Sequence, residues 1–204
     1  MKITAVCMGH AQRLSGLNYK TGIDKSPIGG PVMVDSEGLV GDAICNRKHH
    51  GGVDQAIYLE GGETVAWWAT ELGREMPPGI FGENLVIDGV DNRDLAAGDR
   101  FQIGDIILEV TSARIPCNTF AARMGDKTFA RLYSKAARPG AYCRVIAGGF
   151  VESGMEVSLQ PYRGDRIGLP ELMVNFGRKL EGEARARYLA APVHYKIKAL
   201  IASG

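Results

Sequence analysis

A cysteine behind a proline opens a helix-like stretch in Ser112-Ala-Arg-Ile-Pro-Cys-Asn-Thr-Phe-Ala-Ala-Arg-Met124. The thiolate, not the thiol, attacks electrophiles and binds metals, and it is favoured by nearby cations or free backbone N–H groups. Cys117 has candidates for both. Arg114 is close, the Pro116 ring removes a competing donor, and Asn118 to Arg123 reads as the start of a helix. The same residue type also serves as an inert, buried space-filler, so position alone leaves reactive sulfur and packing residue both open. His49 and His50 precede Gly51 and Gly52, and paired glycines let backbone pass close to a bound group. That segment, Arg47 to Gly52, reads either as a phosphate or oxyanion cradle or as a solvated basic loop. Glu83 and Asn84, wedged between Phe81 and Leu85, either hydrogen-bond their own turn or face a ligand. Lys25, followed by Ser26 and Pro27, carries no signal by itself.

The remaining cysteines, Cys7, Cys45 and Cys143, show no CxxC pair and no zinc-like Cys/His spacing, which argues against a disulfide framework or a structural zinc site. Cys143 alternates with Tyr142 and Arg144 along an apolar run, so it is expected to face inward and pack. Cys7 and Cys45 read as core or loop residues. Trp67 and Trp68 are adjacent on an amphipathic pattern, which sends one of the pair into the core rather than building a stacking platform. Arg178, Lys179, Arg185 and Arg187 read as the wet face of terminal helices.

These residues must be positioned by short elements. Lys2 to Met8 reads as a first strand, Pro31 to Val34 as a second, and Gln55 to Leu59 as another apolar run. Val65, Trp68 and Leu72 predict a helix from Glu63 that ends at Gly73. Arg100 to Ile103, a Gly104-Asp105 turn and Ile106 to Ser112 form the clearest hairpin, and Cys117 lies just beyond its second arm. Thr119 to Met124 and Thr128 to Ala137 look helical. Ala141 to Ala147, a Gly148-Gly149 turn and Met155 to Gln160 close the β-rich region. From Asp165 onward Leu169, Leu172, Met173, Phe176 and Leu180 fall on one helical face, with Pro170 in a first turn. Further helical stretches run from Glu183 to Ala190 and after Pro192. The expected fold is mainly β with α: a barrel-like domain over residues 1–163 and a helical appendage over 164–204.

Lys and Arg number 24 against 23 Asp and Glu, so the overall field offers no reason to expect a nucleic-acid or anionic-membrane partner. Any anion site must be local. The 27 glycines suit many tight turns between short strands. The opening residues, MKITAVCMGH, lack the apolar core of a secretory signal and no run is long enough to span a membrane, which together predict a cytoplasmic address.

Individually weak, these segments gain weight from their order. Lys25-Ser-Pro27, Gly38-Leu-Val-Gly-Asp42, His50-Gly-Gly52, Phe81-Gly-Glu-Asn-Leu85, Gly98-Asp99, Arg114-Ile-Pro-Cys117 and Gly140-Ala-Tyr-Cys-Arg-Val145 together resemble the MOSC domain, which also occurs at the C-terminus of molybdenum cofactor sulfurases. The terminal helices resemble the small three-helix extension of its stand-alone bacterial members. The resemblance implies a β-barrel with a pocket for a molybdenum cofactor, in which Cys117 binds molybdenum or carries sulfur; a soft thiolate suits a metal already held by dithiolene sulfurs. It further implies that Lys25, His50, Arg114 and Arg144 grip anionic groups of molybdopterin, that Gly51 and Gly52 also contact the cofactor, and that Glu83 and Asn84 hold the pterin or order their loop.

The implied activity is reduction of small N-hydroxylated compounds, including hydroxylamino base analogues as in hydroxylaminopurine detoxification. A separate electron-donor reductase is required, because no flavin, haem or iron–sulfur signature is present. No pyridoxal phosphate is expected, because the chain has no room for the desulfurase region of the fused sulfurases. A homodimer is compatible with this reading. Two alternatives stay open: a non-catalytic carrier of cofactor or sulfur, and a hydrolase with Cys117 as nucleophile and His50 as base, which requires the two within hydrogen-bond reach.

Overall fold

The β-branched and aromatic runs pair as strands, and the glycine-rich joints between them keep those strands short. The computed structural model describes residues 1–47 and 50–202. In chain order the strands are β1 (Ile3–Gly9), β2 (Gln12–Arg13), β3 (Lys20–Thr21), β4 (Lys25–Pro27), β5 (Val32–Asp35), β6 (Gly38–Leu39), β7 (Ile57–Gly61), β8 (Leu85–Ile87), β9 (Arg100–Ile103), β10 (Ile106–Ala113), β11 (Ala141–Ala147), β12 (Gly149–Val151) and β13 (Ser158–Gln160). The helices are α1 (Gly62–Leu72), α2 (Asn118–Met124), α3 (Phe129–Ala136), α4 (Leu169–Val174), α5 (Gly182–Ala190) and α6 (Tyr195–Ala202).

Eight strands form one sheet in the order β13-β9-β10-β11-β7-β8-β1-β4, and β12-β5-β6 form a second. Pairing in the large sheet is antiparallel except between β7 and β8, which are joined through α1 and run parallel. Barrel is a loose description, because the edge strands β13 and β4 do not pair. The seam is instead bridged ahead of β13: Ile3 N–H donates to Met155 O at 3.0 Å, Gly154 N–H to Ile3 O at 2.7 Å, and Val157 N–H to Met1 O at 2.9 Å.

Two expected features differ. Gly148 and Gly149 do not turn β11 back toward β13; the chain switches sheets there, and Gly149 pairs with Val34 of β5. A Cβ on Gly148 would lie 2.5 Å from the Val34 carbonyl oxygen, so the glycine serves a close backbone approach rather than a hairpin. The helix over Leu169 to Leu180 is also cut short. Leu169, Leu172 and Met173 are buried, but α4 stops at Asn175, Gly177 adopts a φ of 73°, and Phe176 is left exposed.

What fixes the site is an aromatic knot. Trp68 of α1 stacks on Tyr133 of α3 at 5.7 Å and packs on Phe129 at 5.3 Å, while Phe120 of α2 meets Tyr133 edge-on at 5.0 Å. All four rings are buried, each stabilising the packed state by roughly 1.5–3 kcal/mol. Trp67, beside the buried Trp68, is only partly covered, as expected for an adjacent pair on one helix. The terminal helices are tied on by backbone bonds, Leu169 N–H to Leu95 O and His194 N–H to Thr111 O, both at 2.9 Å. Among the described residues no helix is long and apolar enough to cross a membrane.

Candidate functional site

β10 ends at Ala113, and the chain then runs through Arg114-Ile-Pro to Cys117, which immediately precedes α2. Anchoring Phe120 in the aromatic knot therefore holds the sulfur at the end of the sheet, half-buried, on the wall of a cavity of about 140 Å³. Burial alone would push the thiol up. It is outweighed by a hydrogen bond from His50, the charge of Arg114 and the backbone N–H of Phe120, which bring Cys117 down from 9.0 to about 6. At neutral pH the sulfur is an anion. By contrast, burial drives the other covered thiols, Cys7 and Cys143, upward, and Cys143 faces the core as expected. Cys45 is exposed and also lines the cavity.

Arg114, whose charge acts on that sulfur, lines the same cavity. Its guanidinium carbon is 4.1 Å from the centre of the Phe120 ring and 4.8 Å from that of Tyr58, and Nη1 donates to the Tyr142 hydroxyl at 3.4 Å. The residue is buried, yet its Nε has no hydrogen-bond partner. Buried charges are ordinarily paired. A buried cation on a cavity wall with an unmet donor is therefore suited to an anionic ligand.

The structure brings most, not all, of the expected residues to this cavity. His50, Gly51, Lys25, Asn84, Arg114 and Cys117 line it. Lys25 is not an idle cation, since its ammonium is ion-paired with Asp42, both side chains being buried. Asp42 also accepts from Gly9 N–H and Asn84 Nδ2 at 2.9 Å each, so Lys25, Asp42 and Asn84 form one brace that joins β1, β4 and the loop before β8. Asn84 further fixes β7 by accepting from Tyr58 N–H at 3.1 Å. Glu83 orders its loop instead of facing a ligand: buried, it accepts from Gly79 and Phe81 N–H groups. Gly52 adopts a φ of 81° beside the cavity without lining it. Within the Arg47 to Gly52 cradle, Lys48 and His49 lie outside the described residues.

Arg144 stands apart from the other expected residues. It lines no part of the cavity; it is ion-paired with Asp54 at 3.2 Å and donates to Pro192 O at 3.1 Å. It shares the face of β11 that carries Tyr142, but stands one pleat further from the end of the strand, where Asp54 and the terminal segment meet it. Sequence reading passed over Tyr142, Gln55 and Asp42, all on the cavity wall. Only adjacency within the quoted motifs, Tyr142 beside Cys143 and Asp42 after Gly41, pointed to two of them.

A second cavity, of about 710 Å³, opens on the other side of the sulfur toward the terminal helices. The two share seven lining residues, among them His50, Gln55, Cys117 and Tyr142, so Cys117 stands where they meet. Among the described residues no group of three or more His, Cys, Asp or Glu is set to hold a bare metal ion.

Residues 46–158 match the model of the MOSC domain. The chain is 30% identical over 159 residues to the uncharacterized protein YflK of Bacillus subtilis, spanning 77% of this chain and 72% of that one. A protein of Gibberella moniliformis named reductase is 28% identical over 153 residues, 72% of this chain but 27% of the longer fungal protein. The crystal structure of YiiM from Geobacillus stearothermophilus superposes with a TM-score of 0.80 at 21% identity, covering 99% of this chain and 97% of that one, a likeness of fold.

Proposed function

The chain belongs to the MOSC domain family, and on that premise we propose that it binds a molybdenum cofactor and reduces small N-hydroxylated compounds, with Cys117 as the protein ligand to the metal. One observation carries the reading: a thiolate with a pKa of about 6 stands beside a buried guanidinium whose Nε is unpartnered, at the junction of two cavities. A bare ion would find too few ligands among the described residues. A metal that brings its own dithiolene sulfurs needs only one soft ligand from the chain.

Bound there, the cofactor would supply the two electrons that the reaction consumes. Cys117 would hold the metal, and Arg114, fixed between Phe120 and Tyr58, would grip an anionic group, for which the molybdopterin phosphate is suited. The brace of Lys25, Asp42 and Asn84 would keep the cavity wall in register. In the overall reaction a hydroxylamine takes up two electrons and two protons; the N–O bond breaks, the nitrogen gains a hydrogen, and the oxygen leaves as water. His50, already bonded to the sulfur, is in position to hold a proton close to the reacting group. The electrons come from a separate reductase. The fungal relative's name, reductase, agrees with this direction of chemistry.

The His50–Cys117 bond also meets the requirement set for a Cys/His hydrolase. One experiment separates the readings. Protein purified from cells that make the cofactor should contain molybdenum and pterin, and Cys117→Ser should lose most of the metal. Metal-free protein with esterase or amidase activity would replace this proposal with the hydrolase, and a loaded protein that fails to turn over a hydroxylamine with a chemical reductant would replace it with a carrier.

A further inference from the structure

The cavity of about 710 Å³ falls in the range of roughly 300–1,000 Å³ typical of small-molecule sites. Ile115 and Tyr142 line it from the sheet end, and Leu172, Leu180 and Ile197 line it from the terminal helices and their links. Ser112, Gln55 and His194 share this lining, and all three gather around Thr111 of β10. Ser112 is its neighbour in the strand, and His194 N–H donates to the Thr111 carbonyl at 2.9 Å. The Thr111 hydroxyl donates to the carbonyl of Asp54, the residue before Gln55, at 2.5 Å. None of the three is satisfied by the protein. Ser112 is 5% exposed and its Oγ has no hydrogen-bond partner, nor has the buried Oε1 of Gln55. His194, 3% exposed, is held below the usual histidine range chiefly by burial and is neutral. Its Nδ1 accepts from Lys196 N–H at 3.0 Å, so the ring proton sits on Nε2, a donor without a partner among the described residues. The covered lining is otherwise short of charge. Among the described residues it carries no Asp or Glu, and its Arg178 and Lys196 are both exposed. At the junction the Cys117 thiolate opposes a second negative charge.

We propose that this second cavity binds an uncharged aromatic molecule that carries a hydrogen-bond donor beside an acceptor, a carboxamide being the simplest case, with Ser112, Gln55 and His194 as its anchors. Apolar side chains on two sides suit the ring. Buried polar atoms are ordinarily partnered, so unmet ones on a cavity wall favour a ligand that meets them. Gln55 Oε1 would accept from the amide N–H and His194 Nε2 would donate to its carbonyl, while Ser112 Oγ can do either. A carboxylate in the same place would leave Gln55 Oε1 unmet and add to the charge of the thiolate. What happens to the molecule at Cys117 rests on the reading above; its binding does not.

The test uses metal-free, full-length protein and equilibrium dialysis of three probes built on one ring. They are 2-naphthamide, its N,N-dimethyl derivative, which has no N–H to donate, and 2-naphthoate, which is charged. 2-Naphthamide is expected to bind about 10-fold tighter than either of the others, the worth of roughly one hydrogen bond. Gln55→Leu should bring it down to the level of the dimethyl amide and leave the dimethyl amide where it was; Ser112→Ala should weaken 2-naphthamide in the same direction. Leu180→Trp fills the cavity and should abolish binding of all three, with Ile197→Trp in its place should Leu180→Trp fail to fold by circular dichroism. Absence of 2-naphthamide binding, or binding that survives the tryptophan, overturns the site. Naphthoate as tight as the amide overturns the preference for an uncharged ligand. A preference unchanged in both Gln55→Leu and Ser112→Ala would mean that water alone meets those atoms, and overturns the anchors. Molybdenum analysis of separately purified holoprotein keeps the two proposals apart: binding without metal sinks only the cofactor reading, and metal without binding sinks only this one.

Discussion

The imidazole of His50 hydrogen-bonds the sulfur of Cys117, joining the loop after Asn46 to the turn between β10 and α2. This bond predicts an unusual titration. Because the thiol lies near 6 rather than 9.0, alkylation of Cys117 by iodoacetamide should have its midpoint near pH 6 and level off above about pH 7, where an ordinary thiol would still be accelerating. His50→Ala removes an interaction that opposes burial, so the midpoint should move upward. Linkage gives a matching sign: the lowered value stabilises the fold fully above the unfolded thiol's range, and that contribution fades as pH falls through about 6. A midpoint that stays put in His50→Ala would show the bond to be energetically idle.

Arg114 predicts a conflict between stability and binding. With no partner for Nε, its burial costs the empty protein free energy that aromatic stacking offsets only in part, since a cation–π contact is worth about 0.5–2 kcal/mol. Arg114→Met should therefore leave the melting temperature of cofactor-free protein unchanged or raise it by roughly 2–4 °C. The same variant should retain at least about 10-fold less pterin after gel filtration. Arg114→Lys keeps the charge but loses the planar fit between two rings, and belongs between wild type and Met. A Met variant that melts several degrees lower and still holds pterin would mean that the guanidinium is structural.

Much of this was legible in the sequence where local and tertiary preferences agree. The β9–β10 hairpin carries alternation, β-branched residues and a glycine turn together, and it forms with Ile103 opposite Ile106. Helix α1 ends at Gly73 in a left-handed conformation, as its position after Leu72 requires. The motif cysteine was readable because proline, cation and helix start converge on it. Arg144 was not, since a motif fixes which residue stands on a strand but not how far along the strand the cavity reaches. Nor was Asp42, whose side chain looks like turn chemistry until β4 brings Lys25 against it. The sheet switch at Gly149 depends on β5, a partner more than a hundred residues earlier in the chain.

Arg144 should matter to assembly rather than to cofactor. It bridges Asp54, which in turn accepts from Tyr195 N–H at 2.7 Å, to the Pro192 carbonyl, so it fastens the segment leading into α6 onto the sheet. Arg144→Ala leaves Asp54 with one fewer partner and should cost about 1–3 kcal/mol in urea unfolding. It should also speed proteolytic nicking near Tyr195, while molybdenum content per folded protein stays within error of wild type. Loss of metal without loss of stability would return Arg144 to the cofactor site.

Behind Arg114, Glu60 sits buried, accepting from the Tyr58 hydroxyl and from Asn92 Nδ2 at 2.5 Å. Burial, reinforced by the charge of Glu83, raises it to about 8 against those bonds. A carboxyl raised above its unfolded value binds its proton more tightly when folded, so its stabilising contribution is complete below about 4.5 and is lost as pH climbs to about 8. Glu60→Gln keeps the shape and removes the titration. Melting temperatures measured between pH 5 and 8 should fall in wild type relative to the variant, a comparison in which the opposite-signed contribution of Cys117 cancels. Parallel curves would mean that Glu60 stays ionised in the folded chain, stabilised by Arg114 despite the distance, and Arg114 would then be paired after all and less available to a ligand.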